Sequence, residues 1–399
     1  MVTVDAESFL VIVTAAALAA FLAAFVGTWI ALPVVVVEIV AGILVGPEVL
    51  GIAEPDDFID FFSGLGLGML FFFAGYEIDF ERIRGAPLRL AVIGWALSLA
   101  LAYALGGLLA LAGVVLSLVF TGSAMATTAI GTLIPILSDA GELRTRFGTY
   151  LLAAGAIGEF GPILLITLVF STKSTGTNAA ILILFIALAV VTAVGAMKGA
   201  GRGWPVLERT LETSGQLAIR IAVVLVFALA ALAASLGLDL LLGGFVAGVI
   251  VRLALKGREV SLFESKLTAV GYGFLIPFFF ITSGLKFDLS ALTHNPIRFL
   301  ELPLFLALFL VVRGAPALLL YRRVLDSSDR SALALFSATE LPLVVAITTI
   351  AIDEGHMRSS TAAALIGAAI LSTTIYPLLG LRLRSERARA APEPSPAAG

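Results

Sequence analysis

Thirteen apolar segments, each close to the length of a membrane-spanning helix, follow one another through this sequence. A spanning helix needs about 20 apolar residues, and here 60% of the residues are hydrophobic and only 13% are charged. Because main-chain polar groups cannot stay unpaired in lipid, such segments fold as helices. The predicted spans are 8–28, 30–50, 58–77, 89–113, 115–138, 147–170, 179–197, 217–237, 239–254, 265–285, 299–320, 331–352 and 360–380. The sequence therefore predicts an all-α polytopic membrane protein with about 13 transmembrane helices.

Basic residues are distributed unevenly between the two sets of loops. With the N-terminus placed outside, twenty of the 25 Lys and Arg residues face the cytoplasm, four face outside, and Arg313 lies within a span. Cytoplasmic loops of membrane proteins carry an excess of Lys and Arg. We therefore expect an outside N-terminus and a cytoplasmic C-terminus, with residues 82–89 and 252–266 in the cytoplasm and Lys173 and His294 outside. Usage rich in Ala, Gly and Arg suits a bacterial inner membrane.

Composition also limits the domain organisation and the chemistry. Residues 1–380 are predicted to form one transmembrane domain, and 381–399, basic and then rich in Pro and Ala, a disordered cytoplasmic tail. The chain has no Cys, which excludes disulfides, thiolate metal sites and cysteine nucleophiles. Both His residues fall in predicted loops, so a histidine metal site is not expected. No cofactor and no nucleic-acid partner is predicted.

The sequence contains an internal repeat whose copies are seven spans apart. Their offsets are 206, 209 and 214 residues in chain order. The matching segments are Val40–Val45 with Val246–Val251, Phe71, Gly75 and Asp79 with Phe280, Gly284 and Asp288, and Ser123-Ala124 with Ser337-Ala338. Since seven is odd, the copies, about 30–170 and 239–380, enter the membrane in opposite directions. Inverted repeats are the plan of many secondary transporters, whose sites lie where helices are discontinuous.

Spans 115–138 and 331–352 are the candidates for discontinuity, because Gly and Pro weaken or remove main-chain hydrogen bonds in a helix. Unwound backbone is tolerated at membrane depth only where it lines a cavity or is buried in protein. The alternative is that the prolines merely kink packed helices. The residues predicted to form the broken-helix regions are Gly131, Pro135, Ser337, Thr339 and Pro342.

Four charged residues lie far inside apolar stretches: Glu38, Glu159, Arg313 and Glu340. A charge at bilayer depth costs a few kcal/mol, about 2.5–3.5 on insertion scales, so it is normally retained for a task. A carboxylate such as Glu159 can hold either a proton or a metal cation, and the alternative is a structural carboxylate paired with Arg313. For Arg313 and Glu340, a structural ion pair and a coupling role are both open. A structural or interface role is favoured for Glu38.

Four segments together resemble a known family. They are AGILVGP, FFFAGYEID, TTAI and IPFFFITSGLKFDLSAL, and their order is similar to that of Kef-type members of the monovalent cation:proton antiporter-2 family, over about residues 8–380. The resemblance implies the sodium/proton antiporter fold, with two crossed discontinuous helices in a core domain. That domain would move like an elevator against a dimerisation domain, and the protein would be a homodimer.

The resemblance also assigns roles to single residues. Glu159 matches the ion-binding acid of the family, which is normally Asp preceded by Asp, Asn or Gln, whereas Gly158 precedes it here. Thr128 matches a threonine of the first broken helix, Arg313 a position where relatives carry Lys or Arg, and Glu340 an acid of the second broken helix. The predicted ligands of H⁺ and of the transported metal cation are Glu159, Ser123, Thr127 and Thr128.

The function predicted from these observations is antiport of a monovalent cation, Na⁺ or K⁺, against H⁺, with one H⁺ exchanged for one cation. A sodium-coupled organic-solute symporter and a passive cation channel are the alternatives. The symporter needs a larger polar cavity, and no carbonyl filter such as TVGYG supports a channel. An enzyme is not expected, because the sequence has no Cys, no His within a span and no paired catalytic acids within one segment.

Overall fold

The structure is a computed structural model that describes residues 5–27, 33–169, 175–236, 238, 240–256, 260–293 and 299–390. Within those ranges the regular elements are all helical. Among the described residues, ten helical segments are long and apolar enough to cross a membrane. The shorter apolar segments Val34–Val45, Leu118–Ile134 and Leu241–Ala254 coincide with three further predicted spans. The prediction of an all-helical membrane protein is confirmed. Lys173 and His294 lie outside the described residues.

The chain divides into two compact units, each built from segments of both halves of the sequence. Unit 1 comprises residues 1–80 and 160–290, and unit 2 comprises 81–159 and 291–399. The helices of unit 1 are Ala6–Gly27, Val34–Val45, Asp57–Tyr76, Thr175–Leu211, Leu217–Ser235, Leu240–Ala254, Ser261–Val270, the π-helical turn Gly271–Leu275, and Ile276–Leu285.

Unit 2 contains the helices Ala86–Leu111, Leu118–Met125, Ile130–Asp139, Glu301–Phe309, the π-helical turn Leu310–Gly314, Ala315–Leu320, the 3₁₀ turn Tyr321–Arg323, Ser327–Ser337, Pro342–Asp353 and Ser359–Ala390. The chain passes from one unit to the other within three helices: Phe80–Ile83, Arg146–Val169 and Leu289–Thr293.

Glycines allow two helix pairs of unit 1 to approach closely. A Cβ added at Gly42 would collide with the main-chain oxygen of Ile281, and one at Gly284 with that of Ile39. Helix Val34–Val45 therefore packs on helix Ile276–Leu285 with almost no side chain between them.

The second helix pair repeats this arrangement. A Cβ at Gly248 would collide with the main-chain oxygen of Phe72, and one at Gly75 with that of Phe245. These four residues stand in the positions that the offsets of 206 and 209 assign to the first pair. The inverted repeat therefore governs the packing as well as the sequence.

Replacement of Gly248 by Ala should separate helices Asp57–Tyr76 and Leu240–Ala254. Overpacking of this kind costs about 1–3 kcal/mol of unfolding free energy. We therefore expect a clear fall in the melting temperature of the purified protein. The control is Gly195→Ala in another helix, where no atom lies within 4 Å of an added Cβ; this variant should melt like the wild type or slightly higher. Equal melting of the two variants would contradict this packing.

Two helices of unit 2 are interrupted in the middle. The first broken helix consists of Leu118–Met125 and Ile130–Asp139, and the second of Ser327–Ser337 and Pro342–Asp353. The N-terminus of each broken helix is capped by a side chain. The Ser117 hydroxyl accepts a hydrogen bond from the amide of Phe120 at 3.4 Å, and the Asp326 carboxylate accepts one from the amide of Asp329 at 2.9 Å. Such caps satisfy amides that have no partner inside the helix.

The first break lies before the glycine and the proline that were expected to cause it, whereas the second lies at the predicted residues. The first spans 126–129, so Gly131 and the main chain of Pro135 lie within the regular helix Ile130–Asp139. In the second, Ser337 ends one half, Thr339 lies in the gap, and Pro342 opens the next half, where a missing amide hydrogen is harmless. The reason is that hydrogen bonds at the gap, rather than Gly or Pro, determine where the first helix stops.

The first ten residues of the predicted disordered tail, 381–390, are helical. The last helix, Ser359–Ala390, includes residues 381–390 of the segment expected to be disordered. Arg384 makes two 2.7 Å contacts with the carboxylate of Glu142, pairs with Asp329, and stacks 4.0 Å over the ring of Phe147. These contacts fix the helix to the rest of unit 2. Residues 391–399 lie outside the described part of the chain.

Candidate functional site

The two broken helices meet at their gaps. The amide of Ala129 donates to the main-chain oxygen of Thr339 at 2.8 Å, and the hydroxyl of Thr128 donates to that of Ser337 at 2.6 Å. The gap amide of Thr128 donates to the oxygen of Gly158 on helix Arg146–Val169 at 3.1 Å. Main-chain groups freed by the interruption are thus paired across the crossing, as buried backbone requires.

Glu159 lies at this crossing and is 2% exposed. Its carboxylate interacts with the amides of Ile130 and Gly131, which open the second half of the first broken helix. A helix N-terminus carries partial positive charge and unpaired amide hydrogens, so it favours an anion. The Oε2 atom of Glu159 has no hydrogen-bond partner. One carboxylate oxygen is therefore held by the helix end, and the other is available to an incoming ion.

Gly158, which precedes Glu159, has no space for a side chain. A Cβ there would collide with Nη2 of Arg313 and would lie 2.7 Å from Oγ1 of Thr128. The space of the missing side chain is therefore filled by a guanidinium group from another span. Arg313 therefore lies in space against the residue that immediately precedes Glu159 in the sequence.

Arg313 is 4% exposed and donates only to neutral groups. Its Nε and Nη2 atoms donate to the hydroxyl of Thr128 at 3.0 and 2.7 Å, and Nη1 donates to that of Ser98 at 3.3 Å. The main-chain oxygens of Ala154 and Ser337 accept at 3.3 Å. These acceptors link Arg313 to four other segments of unit 2, so it organises the crossing.

Glu340 is fully buried in the second gap. Its amide donates to the hydroxyl of Ser372 at 3.0 Å, and Thr373 donates to its main-chain oxygen at 3.2 Å. Neither carboxylate oxygen has a hydrogen-bond partner, although Arg313 interacts with the charge through space. The direct contact expected between Arg313 and Glu340 is not formed in this structure, and their pairing or coupling role stays a prediction.

The remaining predicted ligands have different surroundings. Thr127 lies in the first gap, next to Glu340, and donates to the oxygen of Ala124 at 3.1 Å. Ser123 precedes the gap, and its hydroxyl pairs with that of Tyr103 at 3.2 Å. Sequence reasoning missed Ser98 and Ser372, whose only signal was a hydroxyl within an apolar span.

The crossing offers oxygen ligands only. No group of three or more His, Asp and Glu side chains suited to a metal ion occurs in the described ranges. At the gaps, Glu159 is accompanied by threonine hydroxyls and main-chain oxygens. Discontinuous helices in transporters bind coupling ions with this combination of groups.

Comparison with known proteins gives consistent results. The family described as "Sodium/hydrogen exchanger, transmembrane" matches residues 16–380. A putative Na⁺/H⁺ antiporter of Bacillus subtilis, YjbQ, is 28% identical to this chain over 87% of its residues. The match covers 58% of the length of YjbQ. The Na⁺/H⁺-K⁺ antiporter GerN of Bacillus cereus is 26% identical over 66% of this chain and 67% of its own.

The fold also matches a solved structure. The sodium proton antiporter MjNhaP1 of Methanocaldococcus jannaschii superposes with a TM-score of 0.62, at 15% identity, over 96% of both chains. At this identity the likeness concerns the fold alone, and that fold is the one that the resemblance to Kef-type antiporters implied. The sequence match over residues 16–380 shows that the chain belongs to the sodium/hydrogen exchanger family.

Proposed function

We propose that this protein exchanges a monovalent cation, Na⁺ or K⁺, for H⁺ across a bacterial inner membrane. The observation that carries the proposal is Glu159, a buried carboxylate with one unpartnered oxygen at the crossing of two broken helices. The names of the relatives YjbQ and GerN support the same activity.

The chemistry follows from competition for one carboxylate. A buried charge without a counter-charge is strongly unfavourable, so Glu159 takes up either a proton or a cation before the site closes. Thr127, Thr128 and main-chain oxygens of the gaps complete the cation's shell. Opening of the site alternately to the two sides, by an elevator-type movement, then exchanges one ion for the other.

Proton flux measured ion by ion tests the proposal. Purified protein in liposomes that contain a pH dye should move H⁺ on addition of Na⁺, K⁺ or Li⁺, without any organic solute. Flux that requires an organic solute would indicate the symporter instead. Cation movement without H⁺ movement would indicate a channel. The cation with the largest response identifies the substrate.

The orientation is part of the proposal, with the N-terminus outside and the C-terminus in the cytoplasm. Since the chain has no native Cys, single cysteines can be labelled without background. In sealed right-side-out vesicles, an impermeant maleimide should label Glu354→Cys and should not label Arg84→Cys, both of which replace exposed residues. The opposite pattern would reverse the assignment.

The homodimer implied by the resemblance stays a prediction. Mass determination of the detergent-solubilised protein by light scattering should give twice the 41.5 kDa of one chain. A mass of one chain, after correction for detergent, would contradict it.

A further inference from the structure

An apolar groove on the surface of unit 2 has the size of a ligand site. It lies between residues 310–318 and the helix Ser327–Ser337 and has a volume of about 380 Å³, whereas sites for small ligands typically measure roughly 300–1,000 Å³. Its walls consist of apolar residues and Ser331. Two of the wall residues, Val311 and Leu318, are 46% and 41% exposed. In a membrane-spanning chain, such a surface suits a hydrocarbon chain.

Positive charge is concentrated at one end of this groove. Arg322 and Arg323 follow Leu318 by about one helical turn and are exposed. Arg330 lies at the same end, because its Nη1 atom donates to the main-chain oxygen of Leu318 at 3.3 Å and its Nε atom to that of Asp326 at 3.2 Å. The carboxylate of Asp326 is the acid that accompanies these three guanidinium groups. Positive charge therefore prevails where the groove ends.

The dimensions of the groove match one leaflet of a bilayer. Residues 310–318 rise about 12 Å at 1.5 Å per residue, and the hydrocarbon layer of one leaflet is about 15 Å thick. The predicted orientation places Arg322 and Arg323 at the cytoplasmic surface. Basic pockets between membrane helices on that side bind the headgroups of anionic lipids.

We propose that this groove binds an anionic phospholipid of the cytoplasmic leaflet. One acyl chain lies along residues 310–318, and the phosphate lies among Arg322, Arg323 and Arg330. The apolar walls and the guanidinium groups at one end are complementary to the two parts of such a lipid. A soluble anion would use the arginines alone and would leave the groove empty.

The walls of the groove belong to the elements that form the crossing of the broken helices. The π-helical turn Leu310–Gly314 carries Arg313, and the opposite wall ends at Ser337, whose main-chain oxygen accepts from Arg313 at 3.3 Å. The walls approach each other at Gly314, where an added Cβ would lie 3.3 Å from the Cβ of Ala334. A chain packed against both walls stabilises the crossing, so we expect the bound lipid to accelerate exchange. This effect rests on the function proposed above, whereas lipid binding does not.

Binding is tested by native mass spectrometry of the detergent-purified protein, with phosphatidylglycerol and phosphatidylcholine of equal chain length as probes. The first phosphatidylglycerol should bind roughly tenfold or more tightly than phosphatidylcholine, since each basic residue contributes about 1 kcal/mol at an anionic surface. Arg322→Gln combined with Arg323→Gln should remove this preference. Arg84→Gln combined with Arg89→Gln removes the same charge from two other exposed positions of unit 2 and should bind like the wild type.

The apolar part of the site is tested without any change of charge. Ala315→Leu places a larger side chain in the wall of the groove and should weaken binding of phosphatidylglycerol severalfold. Ala307→Leu makes the same change at an exposed position outside the groove and is the matched control. Glycerol phosphate, which has the charge without acyl chains, should not displace the lipid.

The effect on exchange is measured by dye-detected H⁺ flux in liposomes. Wild-type flux should be severalfold higher with phosphatidylglycerol present than with phosphatidylcholine alone, and the variant without Arg322 and Arg323 should show the lower flux in both.

Wild-type affinity for phosphatidylglycerol in that variant, or in Ala315→Leu, would overturn the proposed site. A change of oligomeric mass in Ala315→Leu with unchanged lipid binding would make the groove a subunit contact instead. Lipid binding without any effect on flux would overturn the regulatory part. Absence of flux in both kinds of liposome, with lipid binding intact, would refute the proposed exchange and leave the lipid site standing.

Discussion

Replacement of Glu159 by Gln should reduce cation-driven H⁺ flux to the background of empty liposomes. Gln keeps the size of the side chain, and its carbonyl oxygen can still accept from the amides of Ile130 and Gly131. It cannot release a proton or offer charge to a cation. Because the helix end remains occupied, we expect the variant to fold and to melt near the wild-type temperature. The measurement is dye-detected H⁺ flux on addition of each cation.

Glu159→Asp is the matched variant. It keeps the charge and shortens the side chain by one methylene, so it should retain exchange with a changed apparent cation affinity. Glu142→Gln, a carboxylate of unit 2 that pairs with Arg384, provides a second comparison and should retain exchange at lower stability. Wild-type flux in Glu159→Gln would remove this residue from the mechanism.

Replacement of Gly158 by Ala should have the next largest effect. The added Cβ would collide with the guanidinium of Arg313 and would lie 2.7 Å from the hydroxyl of Thr128. Both groups are held by several hydrogen bonds, so the crossing must shift to admit one methyl group. Displacement of a binding group by about 1 Å can lower a rate on the order of a hundredfold. We expect exchange to fall by roughly that factor, with a lower melting temperature.

The comparison for Gly158→Ala is Gly131→Ala, two residues into the neighbouring half-helix, where no atom lies within 4 Å of an added Cβ. That change keeps the amide that interacts with Glu159 and should leave exchange near the wild-type rate. If Gly158→Ala exchanges as well as Gly131→Ala does, Arg313 does not occupy the position that this structure assigns to it.

Much of the fold could be predicted from the sequence, because its determinants are local. Segment length and hydropathy mark the spans, and the small residues Gly42, Gly75, Gly248 and Gly284 mark both the repeat and the close helix contacts. The acid at Glu159 was also apparent, since a lone charge in an apolar run is costly. These features can be recognised from the amino-acid sequence without knowledge of the tertiary contacts.

What sequence reasoning missed depends on contacts between distant segments. The first gap falls at 126–129, where Ala129 bonds to Thr339, while Gly131 and Pro135 are helical. Gly and Pro mark positions where a helix is locally less stable. They do not show at which of these positions main-chain groups will form hydrogen bonds to a distant segment instead. The hydrogen bonds of Arg313 depend on distant segments in the same way, because Thr128 and Ser98 supply acceptors for its guanidinium group.

The competition between H⁺ and the cation for Glu159 is tested most directly by equilibrium cation binding at several pH values. Binding of the cation identified by the flux assay would be measured by scintillation proximity or calorimetry on the purified protein. One-for-one competition predicts that, where the proton form dominates, the apparent dissociation constant rises about tenfold for each unit that the pH falls. The same protein with Glu159→Gln should show no specific binding at any pH. Cation binding that is independent of pH, or that persists in Glu159→Gln, would contradict exchange at this carboxylate.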